Sequence, residues 1–150
     1  MRKVVLLLSI ALVIAVVIPS AHAGTSTLTL KRGPVINVAD AAGYWQYMAG
    51  SVFRGNTQVG GFAATLRFIN GETPTASMFT LSLFFSGANP PRNVTLMGSW
   101  TSSPGGGIGG VSAASVPYQF LQHDGTFVMT STSATTFTLT INWTGGGVVP

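Results

Sequence analysis

The sequence predicts an all-β protein: a single antiparallel barrel of about eight strands, preceded by an N-terminal signal peptide. Three observations carry this. From Thr25 onward, Val, Ile, Thr, Phe, Tyr and Trp alternate with polar or small residues, the period of two that sends successive side chains to opposite sheet faces. No window holds an apolar stripe at i, i+3, i+4 and i+7, as a helix requires. Turn-forming residues interrupt the alternation at short intervals.

The chain opens with Arg2 and Lys3, continues as the uncharged run from Val4 to Ile18, breaks at Pro19-Ser20 and reaches Ala21-His22-Ala23. A basic head, an apolar stretch and small residues at −3 and −1 have the order of an export signal, with cleavage expected after Ala23. As a membrane anchor the apolar run is short against the ~20 residues needed to span. The expected location is therefore secreted or periplasmic, with no membrane span after cleavage. Residues 1–23 stand outside the expected fold.

Strands are expected at about 26–31, 44–53, 57–69, 92–101, 108–115 and 125–131, with two more around 79–85 and 137–143. In the last of these, Phe137, Leu139, Ile141 and Trp143 share one face and Thr136, Thr138, Thr140 and Asn142 the other, so it is half buried. Phe79, Leu81, Leu83 and Phe85 repeat that pattern, but Met78 and Phe84 make the second face partly apolar, and cover on both sides is expected at one end. Gly55-Asn56, Asn70-Gly71, Gly87 to Pro91, Pro104 to Gly107 and Asp124-Gly125 supply the backbone angles of tight reversals. Such a meander closes into a barrel or folds as a sandwich, and only closure removes exposed edges. Asp40-Ala41-Ala42-Gly43 is compatible with one helical turn, an Asp capping it and a Gly ending it. The barrel domain is expected to span 24–143, and the Gly-rich 144–150 to form a flexible tail.

Removing residues 1–23 leaves 127 residues, enough to bury one core without covalent staples. Lys31, Arg32, Arg54, Arg67 and Arg92 then face Asp40, Glu72 and Asp124, a net +2 rather than the +4 of the whole chain. No cluster of Lys and Arg remains, so nucleic acid is not the expected partner. The absence of cysteine removes thiol catalysis, thiolate metal ligation and disulfides together.

The catalytic inventory is small. Beyond residue 23 there is one histidine, His123, beside Asp124 and Gly125 at an expected turn where adjacent side chains diverge. No Gly-x-Ser-x-Gly elbow presents a serine, and one histidine cannot seed a metal site that needs three or four converging ligands. Gly105, Gly107 and Gly110 match G-x-G-x-x-G by letter, yet Val111-Ser112-Ala113-Ala114-Ser115 reads as strand where a dinucleotide site requires a helix. No cofactor and no metal are therefore expected. Asn93-Val94-Thr95 and Asn142-Trp143-Thr144 fit the glycosylation sequon, but both lie in expected strands.

Arg67 shares parity with Thr65 and Ile69, outside the apolar series Phe62, Ala64, Leu66, Phe68, and is expected to be exposed or to pair with Glu72. Arg54 falls at the end of its strand, near the rim. Large rings are numerous enough to fill or line an interior. Tyr44, Arg54, Trp100 and Tyr118 are the candidate ligand-binding residues.

Several segments resemble the allene oxide cyclase and dirigent-type barrel superfamily. They are Gly55 to Phe62, Phe79 to Phe85, Asn93 to Gly98, and Ile108 to Val111 followed by Gly125-Thr126-Phe127. The order matches over about residues 44–143. The resemblance implies an eight-stranded barrel with an apolar interior that binds and orients a hydrophobic guest. Since none of Asp40, Glu72 or Asp124 is placed on an inward strand position, the family's polar groups are carried over to no residue. Gly43-Tyr44-Trp45 is similar to the Gly-x-Trp of lipocalin-like barrels, without the basic residue that covers that tryptophan from the last strand.

The expected function is that of a non-catalytic exported barrel that binds a small hydrophobic ligand or serves as a structural or interaction module. The alternatives are a cyclase- or dirigent-like enzyme shaping a hydrophobic intermediate and, third, a small outer-membrane barrel. Oligomeric state is not readable from the sequence.

Overall fold

The computed structural model describes residues 24–70, 75–87, 92–101, 105–114 and 125–144. The signal peptide, Glu72, Tyr118, the His123-Asp124 pair and the tail beyond Thr144 lie outside these residues. Eight strands follow one another: β1 (Gly24–Asp40), β2 (Gly43–Arg54), β3 (Thr57–Ile69), β4 (Thr75–Phe85), β5 (Arg92–Thr101), β6 (Gly106–Ala114), β7 (Gly125–Ser131) and β8 (Thr136–Trp143). Each pairs antiparallel with the next, and β1 pairs with β8 to close the barrel. An up-and-down meander of this kind settles the choice between barrel and sandwich.

Alternation decides which residues go inside. Phe62, Ala64, Leu66 and Phe68 of β3, Phe79, Leu81, Leu83 and Phe85 of β4, and Phe137, Leu139, Ile141 and Trp143 of β8 are all buried, as parity requires. Their register stacks them into rows around the wall, for example Ala64, Leu81 and Leu96 on consecutive strands. Large rings lie beside glycines: Phe79 pairs with Gly98, Phe127 with Gly109, and the Phe79 ring passes over Gly107. A strand lacking inward side chains leaves room that a neighbour's ring can fill, so large and small residues alternate around a small barrel. Phe127, Phe79, Trp100 and Phe137 form a continuous chain of ring contacts, with successive centroids 5.8, 5.5 and 5.7 Å apart. The buried polar side chain Ser26 accepts a 2.9 Å hydrogen bond from Trp143 Nε1. That contact ties the start of β1 to the end of β8.

Four local expectations are corrected. β1 does not stop near residue 31; it runs to Asp40, with a register irregularity between Arg32 and Val35. Gly33-Pro34 reads as a strand end because proline has no N–H for a ladder. Here Pro34 falls in the register irregularity between Arg32 and Val35, past the last β8 pair at Lys31, a bulge position that accommodates proline. The pairing of β1 with β8 ends at Lys31, and among the described residues its extension pairs only with β2. The residues 40–43 make no helical turn but a two-residue hairpin, in which Asp40 Oδ1 accepts the Ala42 N–H at 2.8 Å. β6 begins at Gly106, inside the stretch expected to be a turn. Phe84 is exposed and Met78 half-buried, so the outer face of β4 is not covered at the Phe84 end, where its register neighbours are Gly61 and Asn93.

Candidate functional site

The two ends of the barrel differ in chemistry. At the upper end, where β1 joins β2, a cavity of about 210 Å³ lies open to the outside. Trp100, Phe137 and Met48, each buried, form its apolar base. Arg32, Gln46 and Ser131 line it with polar groups. The strands explain the placement: Gln46 and Met48 share the inward parity of β2, and Trp100 is the last inward residue of β5. Arg32 is held where β1 parts from β8, its N–H donating to Thr135 O at 2.9 Å. Its guanidinium donates to the Gly33 carbonyl at 3.0 Å.

At the lower end, the β2–β3 hairpin, Ser86-Gly87 after β4 and Arg92 at the head of β5 border a second cavity, of about 270 Å³. Arg54, Gln58, Ser86 and Arg92 line it around the buried Phe85.

The candidate binding residues are therefore divided between the two ends. Trp100 lies in the floor of the upper cavity. Tyr44 is also near that end, on the inward face of β2, stacked on Phe68 with centroids 4.7 Å apart and planes at 12°. Arg54 belongs to the lower cavity. Tyr118 is outside the described residues. Arg32, Gln46 and Met48 were missed as site residues. Parity from Tyr44 would have found the latter two, whereas Arg32 depends on the overhang of β1 that Gly33-Pro34 disguises.

Arg67 forms a two-point ion pair with Asp40, Nη2 donating to Oδ1 at 2.8 Å and Nη1 lying 2.7 Å from Oδ2; Glu72, its expected partner, lies outside the described residues. The same guanidinium sits 5.0 Å from the Trp45 ring centroid, its cross-strand neighbour. A planar cation on a ring face is attracted by the ring quadrupole. The Arg67 hydrogen bond, aided by the Ala42 N–H, holds the Asp40 carboxyl below its ordinary value. This cluster is on the outside of the upper rim, where it pins the β1–β2 hairpin to β3.

Among the described residues no group of three or more His, Cys, Asp or Glu converges as metal ligands would. Gly105, Gly107 and Gly110 lie at or within β6, with no helix following them among the described residues. No helix among the described residues is long and apolar enough to cross a membrane, a statement that does not bear on β-strands. No protein-family model, curated protein or solved structure matches the chain.

Proposed function

We propose that this chain is an exported, non-catalytic binding barrel whose upper mouth takes a small, mainly apolar molecule carrying one anionic or hydrogen-bond-accepting group. The observation that carries the reading is the upper cavity itself: a floor of Trp100, Phe137 and Met48 beneath Arg32 and Gln46. Barrel mouths are common ligand sites, and such sites combine apolar walls with a few placed polar groups. The ring chain that fills the interior below Trp100 favours a guest seated at the mouth rather than at the barrel centre. A cavity of about 210 Å³ suits a compact guest.

The distribution of polarity supports an aqueous setting over a membrane one. Inward residues are mainly apolar, while the outer face is mixed: Thr25, Thr27 and Thr29 of β1 pair with Asn142, Thr140 and Thr138 of β8, and Phe84, Met97, Ile108 and Val128 are exposed on β4 to β7 without forming a belt around the barrel. A barrel in lipid needs an apolar belt outward. The expected leader, with mature protein starting at Gly24, fits export and is checked by N-terminal sequencing of the extracellular or periplasmic fraction.

Calorimetric titration with benzoate and its neutral counterpart benzamide tests the site. Benzoate is expected to bind saturably and more tightly. Arg32→Gln is expected to weaken benzoate about tenfold, the size of a lost charge-assisted hydrogen bond, and to leave benzamide nearly unchanged. Failure of both probes to bind, or equal binding by the Arg32→Gln protein, overturns the assignment.

A further inference from the structure

We propose that the edge of β1 beyond Lys31 is a self-association edge, to which a second copy of this chain adds its own β1 antiparallel, about a two-fold axis at Asn37. The inference goes beyond the ligand reading and does not depend on it, because Ile36 and Val38 line neither cavity.

The edge is the first ground. β1 pairs with β8 only as far as Lys31, the Arg32 N–H reaches Thr135 O, and from Val35 to Asp40 its pairing among the described residues is with β2 alone. A strand paired on one side presents backbone N–H and C=O groups along the other, and sheets ordinarily guard such an edge with a charge, a proline or a bulge. Here Pro34 and the register irregularity guard it only at its start. The stretch Val35-Ile36-Asn37-Val38-Ala39 holds neither a charged residue nor a proline. Its outer face is apolar as well: Ile36 and Val38 are 62% and 50% exposed, and they lie beside Tyr47, also exposed, and Trp45 on β2.

Self-complementarity is the second ground, and it identifies the occupant. A two-fold axis normal to the sheet keeps outward side chains outward, so residues of like parity meet across it. Centred on Asn37, the pairing sets Ile36 of each copy opposite Val38 of the other, a pair of β-branched residues on one face. Moving the centre by one residue brings Pro34 into the ladder in one direction and the hairpin turn at Ala41 in the other, and either shortens it. Charge agrees with this direction. Arg32 and Asp40 bracket the open stretch, so antiparallel pairing brings the basic end of each copy toward the acidic end of the other, whereas parallel pairing sets like charge beside like.

Sedimentation velocity of the purified protein over about 1–300 µM provides the test. A monomer–dimer equilibrium is expected, half-associated at roughly 10–100 µM because so short an edge makes less than a standard interface. Hydrogen exchange across Val35 to Ala39 should slow as the dimer fills. Ile36→Lys/Val38→Lys sets lysine opposite lysine across the axis and should give a monomer over the whole range. Ile36→Lys/Val38→Glu sets each lysine opposite a glutamate and should restore association by about tenfold or more relative to the double lysine. Both positions are exposed, so the circular dichroism spectra should match the parent's. Ile108→Lys, on the exposed outer face of β6, should leave association unchanged. A parent that stays monomeric throughout overturns the proposal. So does a dimer that survives Ile36→Lys/Val38→Lys, one that Ile36→Lys/Val38→Glu loses equally, one that Ile108→Lys abolishes, or association that continues past the dimer.

Discussion

Replacing Gly98 by alanine tests whether the barrel depends on a close approach between two backbones. Gly98 of β5 faces Gly109 of β6. A Cβ at position 98 would overlap the Ile108 carbonyl oxygen and lie 2.7 Å from the carbonyl carbon and 2.8 Å from Gly109 Cα. All three obstacles are backbone, so no rotamer change relieves them and the strands must separate locally. Separation breaks at least one or two ladder hydrogen bonds in a buried wall, each costing about 1–3 kcal/mol when its groups are left unpaired. The expected loss is about 3–5 kcal/mol, a large part of the ~5–15 kcal/mol that keeps a domain folded. With a urea dependence of about 2 kcal/mol per molar, the unfolding midpoint should fall by about 2 M. Intrinsic fluorescence, to which the buried Trp100 and Trp143 contribute, follows the unfolding. Gly55→Ala is the control: its φ is +57° and no atom lies within 4 Å of the added carbon, so only the left-handed conformation is penalised, by about 1–2 kcal/mol. A Gly98→Ala protein that unfolds within about 1 kcal/mol of its parent would refute the claim that this approach is obligatory.

Because Arg67 depresses the Asp40 carboxyl, their pairing contributes stability above the ordinary value of 3.8, and that contribution is lost as pH falls through the lower folded value. The melting-temperature difference between the parent and Asp40→Asn should therefore be constant near neutrality and shrink below about pH 4; a difference that does not change with acidification contradicts the pairing. Ser26→Ala strands the buried Trp143 N–H and should cost about 1–3 kcal/mol. Adding Trp143→Phe should then cost less than it does alone, and strict additivity in the double-mutant cycle would show that the hydrogen bond is not formed.

Much of the architecture was legible from parity. The faces of β4 and β8 were readable because an inward residue in a half-buried strand must be apolar, and Phe79 to Phe85 and Phe137 to Trp143 obey that rule over their whole length. Where a residue's role depends on partners distant in sequence, parity was silent. Arg67 falls on the outer face as its parity implies, but its ion pair with Asp40 at the hairpin tip, 27 residues away, was not readable from parity. Trp100 was a candidate binding residue, and the structure sets beside it Arg32, Gln46 and Met48 from strands β1 and β2.

The sequence by itself determined the strand alternation, the reversal at Gly55-Asn56 and the scarcity of ionisable groups, since these follow from side-chain chemistry and short-range geometry. Only the tertiary structure decided that β1 meets β8, that Trp100 and Arg54 lie at opposite mouths, and that a Cβ at Gly98 would meet backbone while one at Gly55 would meet nothing within 4 Å. The physical reason is that closure joins strands more than a hundred residues apart. Which groups then share a cavity is set by register around the whole barrel, a property that no local window contains.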